Sequence, residues 1–199
     1  MEPQLKDHLT ELEFIHNRVQ MFEKLYARQQ ENYAKMAKPI RVTLDDGQCM
    51  EGVAFKTTPL DIVLKKSKEL SKKAIVAKVD NELFDLTRPL EHDCKLEILT
   101  FDSDDGKQVF WHSSSHVLGE CLERLFKGQL TVGPPLDPSQ SLHNGGFYYD
   151  VDTSALGIDG NVSDHHYAAI EELIKTITKE KHPFYRVVLT KEEALEMFK

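Results

Sequence analysis

Apolar residues recur every seven positions at Leu5, Leu12, Val19, Tyr26 and Tyr33, joined by Leu9, Ile15 and Phe22, and neither Gly nor Pro interrupts residues 4–38. This spacing predicts one long helix with a narrow apolar seam. Pro39 ends it, because a proline cannot continue the helical hydrogen bonding. Six acids and six bases balance over residues 1–38. Such a helix docks on a partner or on its own domain. A dimeric coiled coil ranks second, since the polar His8 and Gln29 fall on the seam.

Beyond residue 38 the period shortens to two. Ile40, Val42 and Leu44 alternate with Arg41 and Thr43, Asp46-Gly47 supplies hairpin turn chemistry, and a second strand is expected from Cys49 to Phe55. Thr58 suits an N-cap, Pro59 the first helical position, and Asp61 can answer from the third. A helix follows, expected to turn Leu60, Val63 and Leu64 inward and to stop near Leu70. Ile75, Ala77 and Val79 then form a strand that Asp80-Asn81 turns into Leu83-Phe84, and Leu96 to Leu99 closes the set. Two strands, a helix and further strands within about sixty residues match a β-grasp arrangement.

A third pattern starts at Ser103, an N-cap followed by Asp104 and Asp105, whose charges suit the helix dipole. The helix is expected to run to Lys127 and to end at Gly128. Strands are expected at Leu130 to Val132 and at Phe147-Tyr148-Tyr149, with a polar loop between them. Asp164 opens a helix with a stripe of Ile170, Leu173, Ile174 and Ile177, closed by Pro183. Tyr185 to Leu189 reads as a strand, and Thr190 with Glu193 forms a capping box for a last helix.

Composition narrows the function. A chain of 199 residues with 40% hydrophobic content can build one or two small cores. Its formal net charge of -8 argues against a surface dominated by nonspecific phosphate binding. The lysines Lys65, Lys66, Lys68, Lys72 and Lys73 fit a solvated face better than an RNA track. Cys49, Cys94 and Cys121 are widely spaced, odd in number and without a Cys-x-x-Cys, which fits a reducing compartment. No apolar run reaches membrane-spanning length, and the amino terminus carries neither a secretory core nor an acid-free presequence. The expected location is cytoplasmic, with no membrane contact.

The candidate chemistry sits in Trp111-His112-Ser113-Ser114-Ser115-His116-Val117-Leu118-Gly119-Glu120. At about 100° per residue His112, His116, Gly119 and Glu123 share one side of the helix, while Trp111, Leu118, Cys121, Leu122 and Leu125 gather on another. Two imidazoles away from the apolar stripe, with a glycine beside them, describe a cleft wall where something polar approaches. The competing reading is a solvated face that carries two histidines. The serines lack a triad acid in an evident position. His165-His166 diverge by about 100° on a helix and suit a polar helix start. A zinc site on His112 and His116 would need further ligands, so no metal ligands and no cofactor-binding residues are assigned.

Five stretches now line up. Pro39-Ile40-Arg41-Val42-Thr43-Leu44-Asp45-Asp46-Gly47, Lys56-Thr57-Thr58-Pro59, Trp111-His112-Ser113-Ser114-Ser115-His116, Gly133-Pro134-Pro135 and Gly146-Phe147-Tyr148-Tyr149-Asp150 together resemble, in order and spacing, the amino-terminal region of eukaryotic cytosolic threonyl-tRNA synthetases or their synthetase-like paralogues. The resemblance implies an α+β chain: an amino-terminal helix over 1–38, a β-grasp TGS domain over 39–101, and over 103–199 the beginning of a two-layer α+β editing domain. It implies that His112 and His116 are catalytic histidines which help hydrolyse serine misjoined to threonine tRNA. Threonine and serine differ by one methyl, worth only about 10 to 200-fold in a binding pocket, so a second hydrolytic site is needed. A histidine can order a water, take its proton or protonate a leaving hydroxyl.

By the same resemblance the parent enzyme is a threonine–tRNA ligase that uses ATP and threonine tRNA. Its aminoacylation core carries zinc, and it is a homodimer. The ATP site, the zinc ligands and the core itself are not in these residues, so this chain is not expected to charge tRNA. Ser115 stands where the family commonly has alanine, and residues 136–145 add a turn-rich loop. None of the three cysteines is followed by a histidine four residues on, whereas the family completes its site with a later Cys-x-x-x-His. Cys121 is expected to pack. The alternative is a non-catalytic fragment that binds protein or RNA through the helix and the TGS module.

Overall fold

A computed structural model describes residues 13–133, 145–152 and 162–199 of the chain. Positions 1–12, Pro134, Pro135 and most of the 136–145 loop lie outside the described residues, and so do Leu5, His8, Leu9 and Leu12 of the seam. The chain divides into two compact units. One reaches to Lys68 and includes Lys78–Glu97 and Phe184–Lys199; the other comprises Glu69–Ala77 and Ile98–Pro183.

In the first unit, α1 (Glu13–Met36) is the long helix that the apolar period predicts. Its seam is covered by its own unit. Leu25 is buried, Phe22 stacks on Tyr26 at 5.5 Å, Tyr185 packs edge-on to Tyr26 at 5.6 Å, and Tyr33 stacks on Phe55 at 4.9 Å. Val19, expected on the seam, is exposed. The packed line runs instead through Arg18, Phe22, Leu25, Gln29 and Tyr33, closer to the 3.6-residue period of a straight helix than to a strict heptad.

The sheet has five strands in the order β2-β1-β5-β3-β4: β1 (Pro39–Leu44), β2 (Cys49–Val53), β3 (Ala74–Val79), β4 (Glu82–Phe84) and β5 (Cys94–Thr100). β1 pairs antiparallel with β2 around the Asp46-Gly47 turn, where Gly47 takes φ +80, and parallel with β5. A hairpin beside a parallel return fits the β-grasp arrangement expected from the succession of strands and helix. Ile40, Val42 and Leu44 all point into the core with Leu90 and Leu96. Asp80 and Asn81 both adopt positive φ, as a two-residue turn with this chemistry requires.

α2 (Pro59–Lys66) begins in the expected capping box, with Thr58 and Asp61 each bonding the other's backbone N–H. It is shorter than expected. Ser67 turns to an extended conformation and a separate α3 (Lys68–Lys73) follows. The inward residues also differ: Ile62 and Val63 are buried, whereas Leu64 is exposed. An eight-residue helix fixes its buried face by two or three contacts, so its apolar pattern alone left the choice between neighbouring positions open.

The segment after Pro183 lacks the strand expected at Tyr185 to Leu189. It lies beside α1, held by the Gln29 amide: its Nε2 donates to the Arg186 carbonyl at 2.8 Å and its Oε1 accepts from the Val188 N–H at 2.8 Å. The polar residue on the seam thus has a specific partner. α6 (Lys191–Met197) starts in the Thr190/Glu193 capping box, and Glu193 also pairs with Arg28 of α1 at 2.5 Å. No helix among the described residues is long and apolar enough to cross a membrane.

Candidate functional site

The second unit is built on α4 (Asp104–Phe126), the helix that carries the histidine pair. The Ser103 hydroxyl accepts from the Gly106 N–H at 3.0 Å, and the helix ends one residue before the expected end, with Lys127 in the left-handed conformation at φ +52. α5 (Asp164–Glu180) packs along it. Arg124 of α4 makes a two-pronged pair with Glu180 at 2.9 and 3.3 Å and reaches Glu120 at 2.6 Å, and the His182 ring stands 3.3 Å from its guanidinium. Burial beside an apolar helix would penalise a lone guanidinium; the Glu180 and Glu120 carboxylates hold its pKa above the usual arginine value.

A short ribbon runs along the histidine side of α4. β6 (Gln129–Leu130) pairs antiparallel with β7 (Val151–Asp152), and two further backbone bonds join Thr131 to Asp150 and Asp150 to Val132. The strand expected at Phe147-Tyr148-Tyr149 is therefore displaced: those three residues approach the pairing but lie before it. The rings of Phe147 and Tyr149 lie against the helix instead. Trp111 stacks on Phe147 at 5.9 Å and meets Phe101 and Phe110 edge-on. Tyr149 lies on Gly119, where a Cβ would stand 2.8 Å from its ring carbons. The glycine beside the histidines is buried under this ring, and the open wall imagined there is filled by a tyrosine.

His112 and His116 project from consecutive turns, as their four-residue spacing requires. Their Nε2 atoms stand 3.1 Å apart, with ring centroids at 4.9 Å and the planes at 62°. At that distance one nitrogen carries the proton and the other accepts it, so the pair keeps one free proton-accepting capacity in its neutral form. The Tyr149 ring is 6.0 Å from that of His116. Burial, chiefly, and the neighbouring His112 charge hold the His116 pKa below the ordinary histidine value. Both rings remain exposed on their outer side.

The serines between them are engaged as helix back-bonds. Ser114 donates to the Phe110 carbonyl at 2.8 Å, and Ser115, fully buried, donates to the carbonyl of His112. Cys121 is buried with its thiol toward the Ile170 carbonyl, and burial pushes its pKa up, the state of a packing residue. His166 caps its own helix, its Nδ1 accepting from the Ser163 N–H at 3.0 Å, and packs edge-on to Phe126.

Among the described residues no third metal-ligating group joins His112 and His116, so the pair does not fit a four-coordinate structural zinc. Glu120, Glu180 and His182 converge within 4.8 Å, but Arg124 already supplies their positive charge. The sequence reading missed both Tyr149 and the Arg124 cluster. The first was signalled only by an aromatic run after Gly146; the second joins residues 56 apart.

Comparison with known proteins shows what this chain is similar to. A family model of the TGS domain matches residues 40–100. The chain is 44% identical over 92% of its length to the threonine–tRNA ligase named mitochondrial 1 of Arabidopsis thaliana, and 42% identical over 94% of its length to the cytoplasmic enzymes of Caenorhabditis elegans and Rattus norvegicus. The chain is related to the amino-terminal region of eukaryotic threonyl-tRNA synthetases. It spans about a quarter of those relatives' length, 24 to 26%.

Proposed function

We propose that this chain serves a threonine–tRNA ligase as its appended, non-aminoacylating region, and that His112 and His116 begin the site that hydrolyses serine misjoined to threonine tRNA. The observation that carries the reading is the pair of Nε2 atoms 3.1 Å apart on α4, open on one side and walled by Tyr149 on the other. An ester hydrolysis needs a held water, a base to take its proton and an acid for the departing ribose hydroxyl. A neutral imidazole pair meets the second and third needs in alternation. His116, whose pKa burial lowers, takes the proton, and His112 at hydrogen-bonding distance relays it.

The remaining roles belong to the rest of such a ligase. ATP activates threonine in an aminoacylation core that also holds zinc, and the parent acts as a cytoplasmic homodimer. Threonine tRNA is the partner; the TGS domain and α1 offer it, or a protein, a binding surface. The test joins this chain to the remaining three quarters of the rat cytoplasmic relative and follows serine release from mischarged threonine tRNA. The reading expects release that is lost with His112→Ala or His116→Ala. Release that survives both substitutions contradicts it.

A further inference from the structure

The two imidazoles also have the geometry of a preformed chelate. With metal–nitrogen bonds of about 2.0–2.1 Å, a nitrogen separation of 3.1 Å subtends about 95–102° at a bound ion. That lies between the ~90° of square-planar or octahedral sites and the ~109° of a tetrahedral one. Both donors are the Nε2 atoms, both rings face outward, and both stand on one rigid helix, so little reorganisation is needed to bring them to one ion. Metal binding requires both imidazoles neutral, with the proton between the Nε2 atoms given up to solvent.

We propose that His112 and His116 form an open two-nitrogen site for a borderline d-block divalent cation, completed by water, and that occupancy there inhibits the hydrolysis proposed above. The ion needs both Nε2 lone pairs, so it displaces the proton held between the two rings, and with it the relay on which the proposed hydrolysis depends. With two protein ligands the site is labile. Its preference follows ligand chemistry, with copper(II) above nickel(II) and zinc(II), and magnesium excluded. The inhibitory part rests on the proposed hydrolysis; the binding part rests on geometry alone.

The chain is titrated with nickel(II), zinc(II) and magnesium while imidazole proton resonances and binding heat are recorded. Expected is one equivalent bound, with the His112 and His116 resonances the first of nine histidines to move, and no response to magnesium. His112→Ala or His116→Ala should weaken nickel binding by at least the ~10–100-fold that loss of an outer-sphere partner already costs. His112→Gln, which keeps a side chain at the surface, should do the same with unchanged helix content. Nickel binding of undiminished strength in these variants would place the ion elsewhere, at His165-His166 or at Glu120, Glu180 and His182, and overturn the proposal. So would a pair of resonances that stays still up to millimolar metal. Serine release measured in the presence of a chelator reads the hydrolysis by itself, so its failure and the failure of metal binding are separate results.

Discussion

The ring of Tyr149 fills the space that a side chain on Gly119 would need, with Cδ2 and Cε2 both 2.8 Å from a Cβ built there. Gly119→Ala gains about 1 kcal/mol of helix propensity but forces the ring away, at an overpacking cost of about 1–3 kcal/mol. We expect a net loss of stability in urea and a weakened contact between Tyr149 and His116. The double variant Gly119→Ala/Tyr149→Leu should recover part of the loss. A fully stable Gly119→Ala with an unchanged His116 environment would show that the ring does not rest on the helix.

His116 makes the stability of this region depend on pH. Its folded pKa lies below the ordinary value of about 6.5, chiefly through burial and then through His112. Between those two values the unfolded chain binds more protons than the folded one, so acid favours unfolding. Its contribution is intact above about pH 6.5 and is lost as pH falls toward the folded pKa. Denaturant midpoints from pH 7.5 to 5 should fall less steeply in His116→Gln. In His112→Ala, the His116 resonance should titrate higher than in the parent, but still below the ordinary value, because burial is the larger cause.

Arg124 ties α4 to α5 through Glu180 and holds Glu120 on its own helix. The pair is largely covered, with side-chain exposures of 22% and 23%, so its loss falls between the cost of an exposed pair and that of a buried one, about 1–3 kcal/mol. Arg124→Met should show that loss in a urea transition. Arg124→Lys should restore little of it, since an ammonium cannot make the two-pronged contact with Glu180.

Gln29→Leu removes both bonds to the segment at Arg186 and Val188. The cost should be modest, about 1 kcal/mol, because these groups can turn to water. Amide exchange at Val188 should rise in the variant while exchange in β1 stays the same. A Val188 amide as protected as before would mean that something other than Gln29 holds it.

The sequence was most legible where the controlling interaction is local. Thr58 with Asp61, Ser103 with the Gly106 N–H, and Thr190 with Glu193 each satisfy helix ends within three residues, and the turn at Asp46-Gly47 needs only the backbone freedom of its glycine. The histidine spacing was legible for the same reason: four residues on a helix bring two rings together. Legibility failed where distant residues decide. Leu64 lost its inward place to Ile62, Tyr185 to Leu189 found a side chain in place of a strand, and the Phe147 and Tyr149 rings were drawn to Trp111 and Gly119. No periodicity in the ribbon could announce that Gly119 has a tyrosine over it.

The central claim is that the imidazole pair handles the proton of an attacking water. Its most direct measurement is the single-turnover rate of serine release from mischarged threonine tRNA across pH, using this chain joined to the rest of a relative. The account predicts a rate that rises from acid and levels as His116 becomes neutral, and a fall of about 10²–10⁴-fold in His116→Ala. A rate that ignores this titration and is unchanged in His116→Ala would contradict it.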